Sequence, residues 1–528
     1  MRDFDFPGRS TVHACNGMAA TSHPLATGVA VDVLRRGGNA LDAAIAASAT
    51  LAVVEPQSTG IGGDCFALMC RGGTDEVIGF NGSGRAPAAA SLDLFLEQGI
   101  SEIEATSVHA VTMPGAIDAW IRLHEAHGRM EFEQLLAPAV AYARDGYPVH
   151  GRVRFDWLRA AEMLRQNEAA RAVFLPRDQV PGEGDLHRQP ALAETLAKVA
   201  GGGRRAFYEG EIAEAMVATL RKVGGCHALE DFAAVRGDYV TPISTEYRGV
   251  HVHQIPPNNQ GLTALIMLNI LEGFDLPAWA PLSAERTHLE IEAGRLAFAA
   301  RNAAIADPAS MTAKLAQLLS KGWAGTLRSS IRLDRPLADL PDLLLQKSDT
   351  VYVCVVDRDL NTVSFINSIY DSFGSTIICP HTGVLFQNRG RSFRLDAEHP
   401  NCIGPSKRPM HTIMPGMVTR EGRALMPYGV MGGDYQPFGH TRLLTNIFDY
   451  GLDVQAALDM PRVFAGEAWA ELEKSFPAET IQGLLAIGHD IRMASEPLGG
   501  GQAILIDHCR GIMSGGSDPR KDGCALGY

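Results

Sequence analysis

A predicted β-hairpin within residues 346–368, QKSDTVYVCVVDRDLNTVSFINS, limits the possible folds of this chain more than any other stretch. Its first strand is the run of β-forming residues 351–356, and its return strand begins at Thr362. The residues between the two runs, DRDLN, are typical of a turn. Thr350 opens the first strand directly behind the polar residues KSD. It is either an ordinary strand threonine or a nucleophile whose own peptide bond must first be cut.

The predicted secondary structure changes at this hairpin, from mostly helices before it to short β runs after it. Near its start, Pro24 suits a first helical turn and Asn39 can cap a second, alanine-rich helix, while residues 90–340 are predicted to be mostly helical. Short β runs are predicted at 351–356, 362–367, 375–379 and 383–388, and helices at 439–448 and 454–458. Helices around a sheet, followed by antiparallel hairpins, indicate an α+β sandwich.

Composition excludes several classes of function. The chain has 528 residues and a net charge of −13, which argues against nucleic acid or an anionic membrane as the main partner. It contains no run of 18 apolar residues and no apolar leader segment. Nine cysteines without a C-x-x-C pair fit reduced thiols in the cytoplasm. The metal and nucleotide motifs H-E-x-x-H and Walker A do not occur, so we expect neither a metal nor a cofactor.

Five stretches together resemble the γ-glutamyltranspeptidase family of N-terminal-nucleophile hydrolases. They are residues 17–68, the SDTVYVCVVDRDLNTVSF hairpin, GPSKRPMHTIMP at 404–415, MGGD at 431–434 and GGSDPRKDGCALGY at 515–528. The resemblance implies a four-layer αββα sandwich of the α+β class. It also implies an inactive precursor that cuts itself before a nucleophilic threonine or serine.

The resemblance places this cut between Asp349 and Thr350. The products would be an α chain of residues 1–349 and a β chain of residues 350–528. Together they would form one catalytic body, as a heterodimer or a dimer of such heterodimers. An unprocessed, catalytically silent binding protein is the alternative of a different class.

Cleavage would turn Thr350 into a complete catalytic unit. A threonine hydroxyl is a weak nucleophile unless a base removes its proton. The Thr350 nitrogen is an amide in the precursor, but after cleavage it becomes an α-amino group with a pKa of roughly 7.7–8.0. A base with such a pKa suits proton transfer near neutral pH. One residue would then supply both nucleophile and base.

The resemblance assigns three more residues to the reaction. Gly432 and Gly433 match the positions whose backbone N–H groups stabilise the oxyanion, although a Gly-Gly pair alone also suits a simple turn. Ser368 matches a threonine that orients the nucleophile, and its alternative role is that of a polar residue at a strand end.

The predicted substrate-binding residues depart from those of a transpeptidase. Ser83 stands where an arginine of the family grips the substrate's α-carboxylate, and Arg85 follows two residues later. Ser392 stands where an aspartate binds the α-ammonium, and Arg389 lies nearby. Tyr370 replaces an asparagine, and His411 with Thr412 replaces a serine pair.

These departures predict a substrate with a carboxylate but no amine. Loss of the aspartate disfavours an ammonium, and a guanidinium at Arg389 or Arg85 would pair with a carboxylate. The variant motifs resemble a subgroup with oxamate amidohydrolase and glutaryl-type acylases, so oxamate is the best candidate and a γ-glutamyl hydrolase the runner-up. Both arginines have a surface or inter-chain ion pair as the alternative, His411 a packing role, and Tyr370 a role as cavity wall. Residues 391–407 are shorter than the family's lid region, which favours hydrolysis over transpeptidation.

Overall fold

The computed structural model of the protein describes residues 5, 8–72, 74–338, 350–466 and 469–528. Its strands are β1 (Val12–Ala14), β2 (Met18–Thr21), β3 (Asp64–Cys70), β4 (Val77–Gly82), β5 (Tyr147–Pro148), β6 (Leu186–His187), β7 (Asp238–Val240), β8 (Ile243–Tyr247), β9 (Val250–Gln254), β10 (Val351–Val356), β11 (Thr362–Ser368), β12 (Gly416–Arg420), β13 (Arg423–Met431), β14 (Val463–Ala465), β15 (Trp469–Leu472), β16 (Asp490–Met493), β17 (Gly500–Asp507), β18 (Ile512–Ser517) and β19 (Ala525–Gly527).

The α-helices are α1 (Pro24–Arg35), α2 (Ala40–Val54), α3 (Leu92–Glu97), α4 (Ala116–His127), α5 (Phe132–Asp145), α6 (Gly151–Arg165), α7 (Glu168–Phe174), α8 (Pro190–Tyr208), α9 (Glu211–Lys222), α10 (Leu229–Ala233), α11 (Gly261–Leu271), α12 (Ala284–Ala304), α13 (Leu315–Leu318), α14 (Lys321–Arg328), α15 (Gln436–Phe448), α16 (Val454–Asp459) and α17 (Ala478–Ile487). Among these helices, none combines the length and the apolar character needed to cross a membrane.

Two large sheets dominate the part of the chain that the structure describes. One has the strand order β1-β18-β17-β13-β12-β9-β8, and the other has the order β19-β2-β10-β11-β3-β4-β7. In both sheets, strands from before and after Thr350 lie side by side. The predicted α and β chains therefore share one body, whose sheets each need strands from both chains.

The alternation of side chains along β10 identifies the layers. Val351, Val353 and Val355 pack into a core with the helices α1 and α2. The residues between them, Tyr352, Cys354 and Val356, pack into a second core between the two sheets. A third core lies between the sheet that contains β13 and the helices α11, α12 and α15. The predicted α+β fold, a four-layer αββα sandwich, is confirmed.

Local predictions succeeded where a cap or a strong periodicity was present. Asn39 caps α2 by accepting hydrogen bonds from the backbone N–H groups of Leu41 and Asp42 at 3.0 and 2.9 Å. The predicted β runs at 375–379 and 383–388 are wrong: they form only isolated bridges, and Thr376 has a φ of +59°.

The mostly helical prediction for residues 90–340 also missed strands. It overlooked β8 and β9, which alternate between buried and exposed residues at one edge of their sheet. Each strand has only five residues and contains polar side chains, so neither forms a continuous apolar run.

Candidate active site

The β10–β11 hairpin brings Thr350 and Ser368 together. Val351 pairs with Asn367 in the antiparallel register, so one further step places Thr350 opposite Ser368. Thr350 is 1% exposed, and its Oγ1 donates a hydrogen bond to Ser368 Oγ at 3.3 Å. The backbone N–H of Tyr370 donates to the same Ser368 Oγ at 2.8 Å. Asp349, on the other side of the predicted cut, lies outside the described residues.

This contact gives the first prediction. Changing Ser368 to alanine is expected to lower kcat roughly ten-fold, because one hydrogen bond that orients the Thr350 hydroxyl is lost. Changing Ser368 to threonine keeps a hydroxyl at this position and should retain most of the activity. Steady-state kinetics of the processed proteins would measure both effects. An alanine variant with wild-type kcat would show that Ser368 is only a strand-end residue.

Gly432 and Gly433 form the turn between β13 and α15. Their φ angles are +118° and +60°, a region that side chains disfavour. Gly433 begins a short 3-10 helix that ends at Tyr435, and the first N–H groups of a helix have no partner within it. A Cβ built on Gly432 would lie 2.9 Å from the Cα of Gly499. The turn therefore leaves backbone N–H groups without a partner in the helix and excludes larger residues, while the role of both glycines as oxyanion donors stays a prediction.

A second prediction follows from this turn. Gly432→Ala is expected to lower kcat by roughly 10²-fold, because a shifted N–H donor no longer meets the oxyanion. Gly322→Ala is the matched control, since a Cβ there meets nothing within 4 Å. Pre-steady-state acylation rates would measure the effect. Equal rates for both variants would contradict a catalytic role of the turn.

Arg389 is a buried cation without an ion-pair partner among the described residues. Its side chain is 0% exposed, and Nη1 donates a hydrogen bond to Thr412 Oγ1 at 2.8 Å. Its Nε and Nη2 are buried and have no hydrogen-bond partner in the described structure. Burial lowers the pKa of the guanidinium to about 10, so it remains charged at neutral pH. The alternative of a surface ion pair therefore does not describe Arg389.

Tyr370 connects Arg389 to the nucleophile. The Arg389 guanidinium carbon lies 3.8 Å from the centre of the Tyr370 ring, and the Tyr370 N–H bonds Ser368. Tyr370 has a φ of +78°, which is rare for a residue other than glycine. We call the adjacent space of about 390 Å³ the Tyr370 cavity; its walls include Arg301, Tyr370, Ser392, Met410 and Asp434. Direct contacts therefore connect four residues in space, in the order Thr350, Ser368, Tyr370 and Arg389.

Ser392 lines the Tyr370 cavity and brings no charge to it. Its Oγ lies 2.8 Å from the carbonyl oxygen of Arg389 and 2.7 Å from that of Met410, within hydrogen-bond distance of both. The hydroxyl therefore fixes the backbone beside Arg389. An aspartate at this position would have brought a negative charge to the Tyr370 cavity.

His411 and Thr412 have different surroundings. His411 is fully buried, and its Nε2 lies 3.0 Å from Asp64 Oδ2. Burial, followed by the charge of Arg389, lowers the pKa of His411 to about 3, so the imidazole is neutral. Its Nε2–H then donates to Asp64 rather than to a substrate. The alternative of a packing role fits these contacts of His411, whereas Thr412 lies directly against Arg389.

Ser83 and Arg85 lie at a different place from Arg389. Arg85 is 42% exposed and forms an ion pair with Asp307 at 3.4 Å. Ser83 Oγ donates to Asn81 Oδ1 at 2.7 Å. Both residues line a separate cavity of about 40 Å³ and do not line the Tyr370 cavity. The alternative of an ion pair describes Arg85, and a substrate-binding role of either residue stays a prediction.

Three residues of this site were not predicted from the sequence. Gln260 lies between the Gly433 turn and Thr412, and its Nε2 donates to the carbonyl oxygens of both residues, at 3.0 and 2.7 Å. Its Oε1 accepts a hydrogen bond from Arg301 Nη1 at 2.8 Å. Arg301 Nη1 also bonds Asp434 Oδ1 at 2.5 Å. The only signals in the sequence were the helix break IPPNNQG and the residue after the Gly-Gly pair.

One group of potential metal ligands occurs among the described residues. Nitrogen and oxygen atoms of His288, Glu292 and His489 lie within 4.8 Å of one another. Each of these side chains already has a polar partner: His288 bonds His489 and the Arg332 carbonyl oxygen, both at 2.7 Å, and Glu292 accepts from the Leu337 N–H at 2.7 Å. The group does not line the Tyr370 cavity, so we assign it no part in the chemistry at Thr350.

Comparison with known proteins shows similarity over the whole chain. Residues 26–528 match the sequence model of the family described as gamma-glutamyltranspeptidase. The glutathione hydrolase-like YwrD proenzyme of Bacillus subtilis (strain 168) is 39% identical over 521 residues, 97% of this chain and 98% of that protein. The oxamate amidohydrolase proenzyme of Klebsiella pneumoniae subsp. pneumoniae is 34% identical over 527 residues, with the same shares of 97% and 98%. The crystal structure of cephalosporin acylase from Bacillus halodurans superposes with a TM-score of 0.93 at 38% identity, covering 100% of this chain and 99% of that one.

Proposed function

The chain belongs to the γ-glutamyltranspeptidase family of proenzyme hydrolases, and we propose that it hydrolyses a small amide whose acyl half carries a carboxylate and no amine. Oxamate, which would give oxalate and ammonia, is the leading substrate. The active form is a heterodimer of residues 1–349 and 350–528. Hydrolysis, rather than transfer to an amine, is the main reaction.

The buried guanidinium of Arg389 is the observation that carries this proposal. A buried cation whose Nε and Nη2 have no hydrogen-bond partner among the described residues is costly unless a ligand supplies an anion. A carboxylate can accept from both of these donors at once. Arg389 contacts Tyr370, which in turn contacts Ser368 beside Thr350. A short acyl group could therefore bridge Arg389 and the nucleophile, which suits a carboxylate close to the reacting carbonyl.

Self-cleavage begins the proposed reaction. The Thr350 hydroxyl attacks the Asp349 carbonyl carbon, the C–N bond breaks, and the acyl group moves from nitrogen to oxygen. Water then hydrolyses this ester, which leaves a carboxylate on Asp349 and a free α-amino group on Thr350.

Turnover repeats the same chemistry on the substrate. The α-amino group takes the proton of Thr350 Oγ1, which attacks the amide carbonyl. The N–H groups of Gly432 and Gly433 stabilise the oxyanion. The C–N bond breaks as the leaving amine takes the proton, and a water molecule hydrolyses the resulting ester of Thr350. Arg389 holds the acyl carboxylate throughout.

A γ-glutamyl hydrolase is the second candidate function, and a glutaryl-type acylase is a third. The relative from Bacillus subtilis with 39% identity, whose name is glutathione hydrolase-like, favours the second. Ser392 argues against a γ-glutamyl substrate, because its hydroxyl supplies no negative charge to bind the substrate's α-ammonium. The cephalosporin acylase structure, with its TM-score of 0.93, favours the third.

A comparison of two substrates tests the proposal. We expect the purified, processed protein to hydrolyse oxamate with a higher kcat/KM than γ-glutamyl anilide. Release of ammonia and of aniline would measure the two rates. A clear preference for the γ-glutamyl anilide would refute the charge argument based on Arg389 and Ser392.

A further inference from the structure

The Tyr370 cavity contains a carboxylate as well as cations. Asp434 lines it and directly follows Gly433, so its charge lies one residue from the proposed oxyanion donors. A bare carboxylate there would attract an acyl ammonium and repel an acyl carboxylate. The proposed substrate class therefore requires that the charge of Asp434 be neutralised.

Arg301 supplies this neutralisation. Its Nη1 lies 2.5 Å from Asp434 Oδ1, and the two side chains are only 1% and 3% exposed. Because both groups are shielded from water, the opposite charges interact strongly, and each neutralises the electrostatic field of the other. We propose that Arg301 is a specificity-determining residue, which makes the Tyr370 cavity accept an acyl carboxylate by masking Asp434. This inference rests on the proposed function.

Gln260 keeps Arg301 in place for this role. Its Oε1 accepts from Arg301 Nη1 at 2.8 Å, and its Nε2 donates to the carbonyl oxygens of Thr412 and Gly433 at 2.7 and 3.0 Å. Thr412 is also the hydroxyl partner of Arg389. One buried amide therefore connects the proposed carboxylate-binding arginine, the oxyanion turn and the ion pair. Gln260 is a positioning residue in this arrangement.

A matched substrate pair isolates the effect of the ion pair. Glutaryl anilide and γ-glutamyl anilide differ only in the α-ammonium, and both carry the same distal carboxylate. The measured quantity is the ratio of their kcat/KM values, glutaryl over γ-glutamyl, for processed enzyme. Because both substrates are measured on one protein sample, partial unfolding or incomplete processing cancels from the ratio.

Arg301→Gln is expected to lower this ratio roughly ten-fold or more, because the field of Asp434 then acts on the acyl group. Arg301→Lys keeps the charge and should stay near the wild-type ratio. Arg248→Gln is the matched control: Arg248 pairs with Asp449 at 2.7 Å and does not line the Tyr370 cavity. It should leave the ratio within about two-fold, the scale of a partly exposed ion pair.

Asp434→Asn provides the opposite test. It removes the negative charge and keeps Arg301, so the ratio should stay equal or rise. If Arg301→Gln yields only precursor, Gln260→Met replaces it, because it frees Arg301 without changing any charge and should shift the ratio in the same direction. An unchanged ratio in the Arg301→Gln enzyme, or in the Gln260→Met enzyme that replaces it, would overturn the inference.

Different results would contradict the proposed substrate class and the proposed role of Arg301. A wild-type enzyme that prefers γ-glutamyl anilide contradicts the proposed substrate class. The role of Arg301 is still tested in that case, because its replacement must lower the ratio further from whatever value the wild type has.

Discussion

Replacing Thr350 by alanine is expected to yield one chain of 56.6 kDa that neither cuts itself nor hydrolyses an amide. Alanine has no hydroxyl to attack the Asp349 carbonyl, so the precursor persists. The same hydroxyl is the nucleophile of turnover, and loss of a nucleophile in a hydrolase typically costs roughly 10⁶-fold in kcat. A denaturing gel and a kinetic assay measure the two losses together. We expect this replacement to have a larger effect than those at Ser368, Gly432 or Arg389.

Thr350→Ser is the matched control for this variant. Serine keeps the hydroxyl and, after cleavage, an α-amino group, so it should be processed and should retain measurable activity. Two chains from the alanine protein, cut at the same bond, would show that another group performs the cleavage. A fully active alanine protein would refute the role of Thr350 in turnover.

Arg389→Met is expected to have the second-largest effect. Removing one partner of a buried charge pair costs about 2–5 kcal/mol, and each 1.36 kcal/mol is about ten-fold in rate, so kcat/KM for oxamate should fall by a factor between roughly 30 and roughly 5,000. Self-cleavage does not involve a substrate carboxylate, so two chains should still form. The presence of both chains would show that the fold is intact. Steady-state kinetics on the processed variant gives the loss.

Two arginine variants serve as controls for this result. Arg85→Ala removes a half-exposed guanidinium that pairs with Asp307, so kcat/KM should change less than about five-fold. Arg389→Lys keeps the charge but loses the planar fork, and its activity should lie between those of the wild type and the methionine variant. If Arg85→Ala has the larger effect, the carboxylate site is at Arg85 and not at Arg389.

Local sequence patterns predicted the parts of the site that depend on residues close to one another in the sequence. The hairpin register follows from β-forming residues on both sides of a five-residue turn, and it brings Thr350 to Ser368 without any distant information. The turn at Gly432 was similarly visible, because positive φ angles need glycine. The layers of the sandwich followed from the family resemblance, and the alternation along β10 confirms them.

The substrate side depends on contacts that no local pattern contains. Arg85 and Arg389 were both candidates in the sequence, and the structure separates them: Arg85 is partly exposed and pairs with Asp307, whereas Arg389 is fully buried. The network of Gln260, Arg301 and Asp434 joins residues from three distant parts of the chain. Spacing within a sequence cannot reveal which buried charges meet after folding.

The mass and the N-terminus of the active protein show whether Thr350 has been released by cleavage. If Thr350 is nucleophile and base, the active sample consists of two chains of about 37 and about 19 kDa, the shares of 56.6 kDa for residues 1–349 and 350–528. Labelling of free α-amino groups should then identify Thr350 as the first residue of the smaller chain, and activity should rise in step with its amount. Intact-mass spectra of a fully active sample in which the bond between Asp349 and Thr350 remains unbroken would rule out the α-amino group of Thr350 as the base.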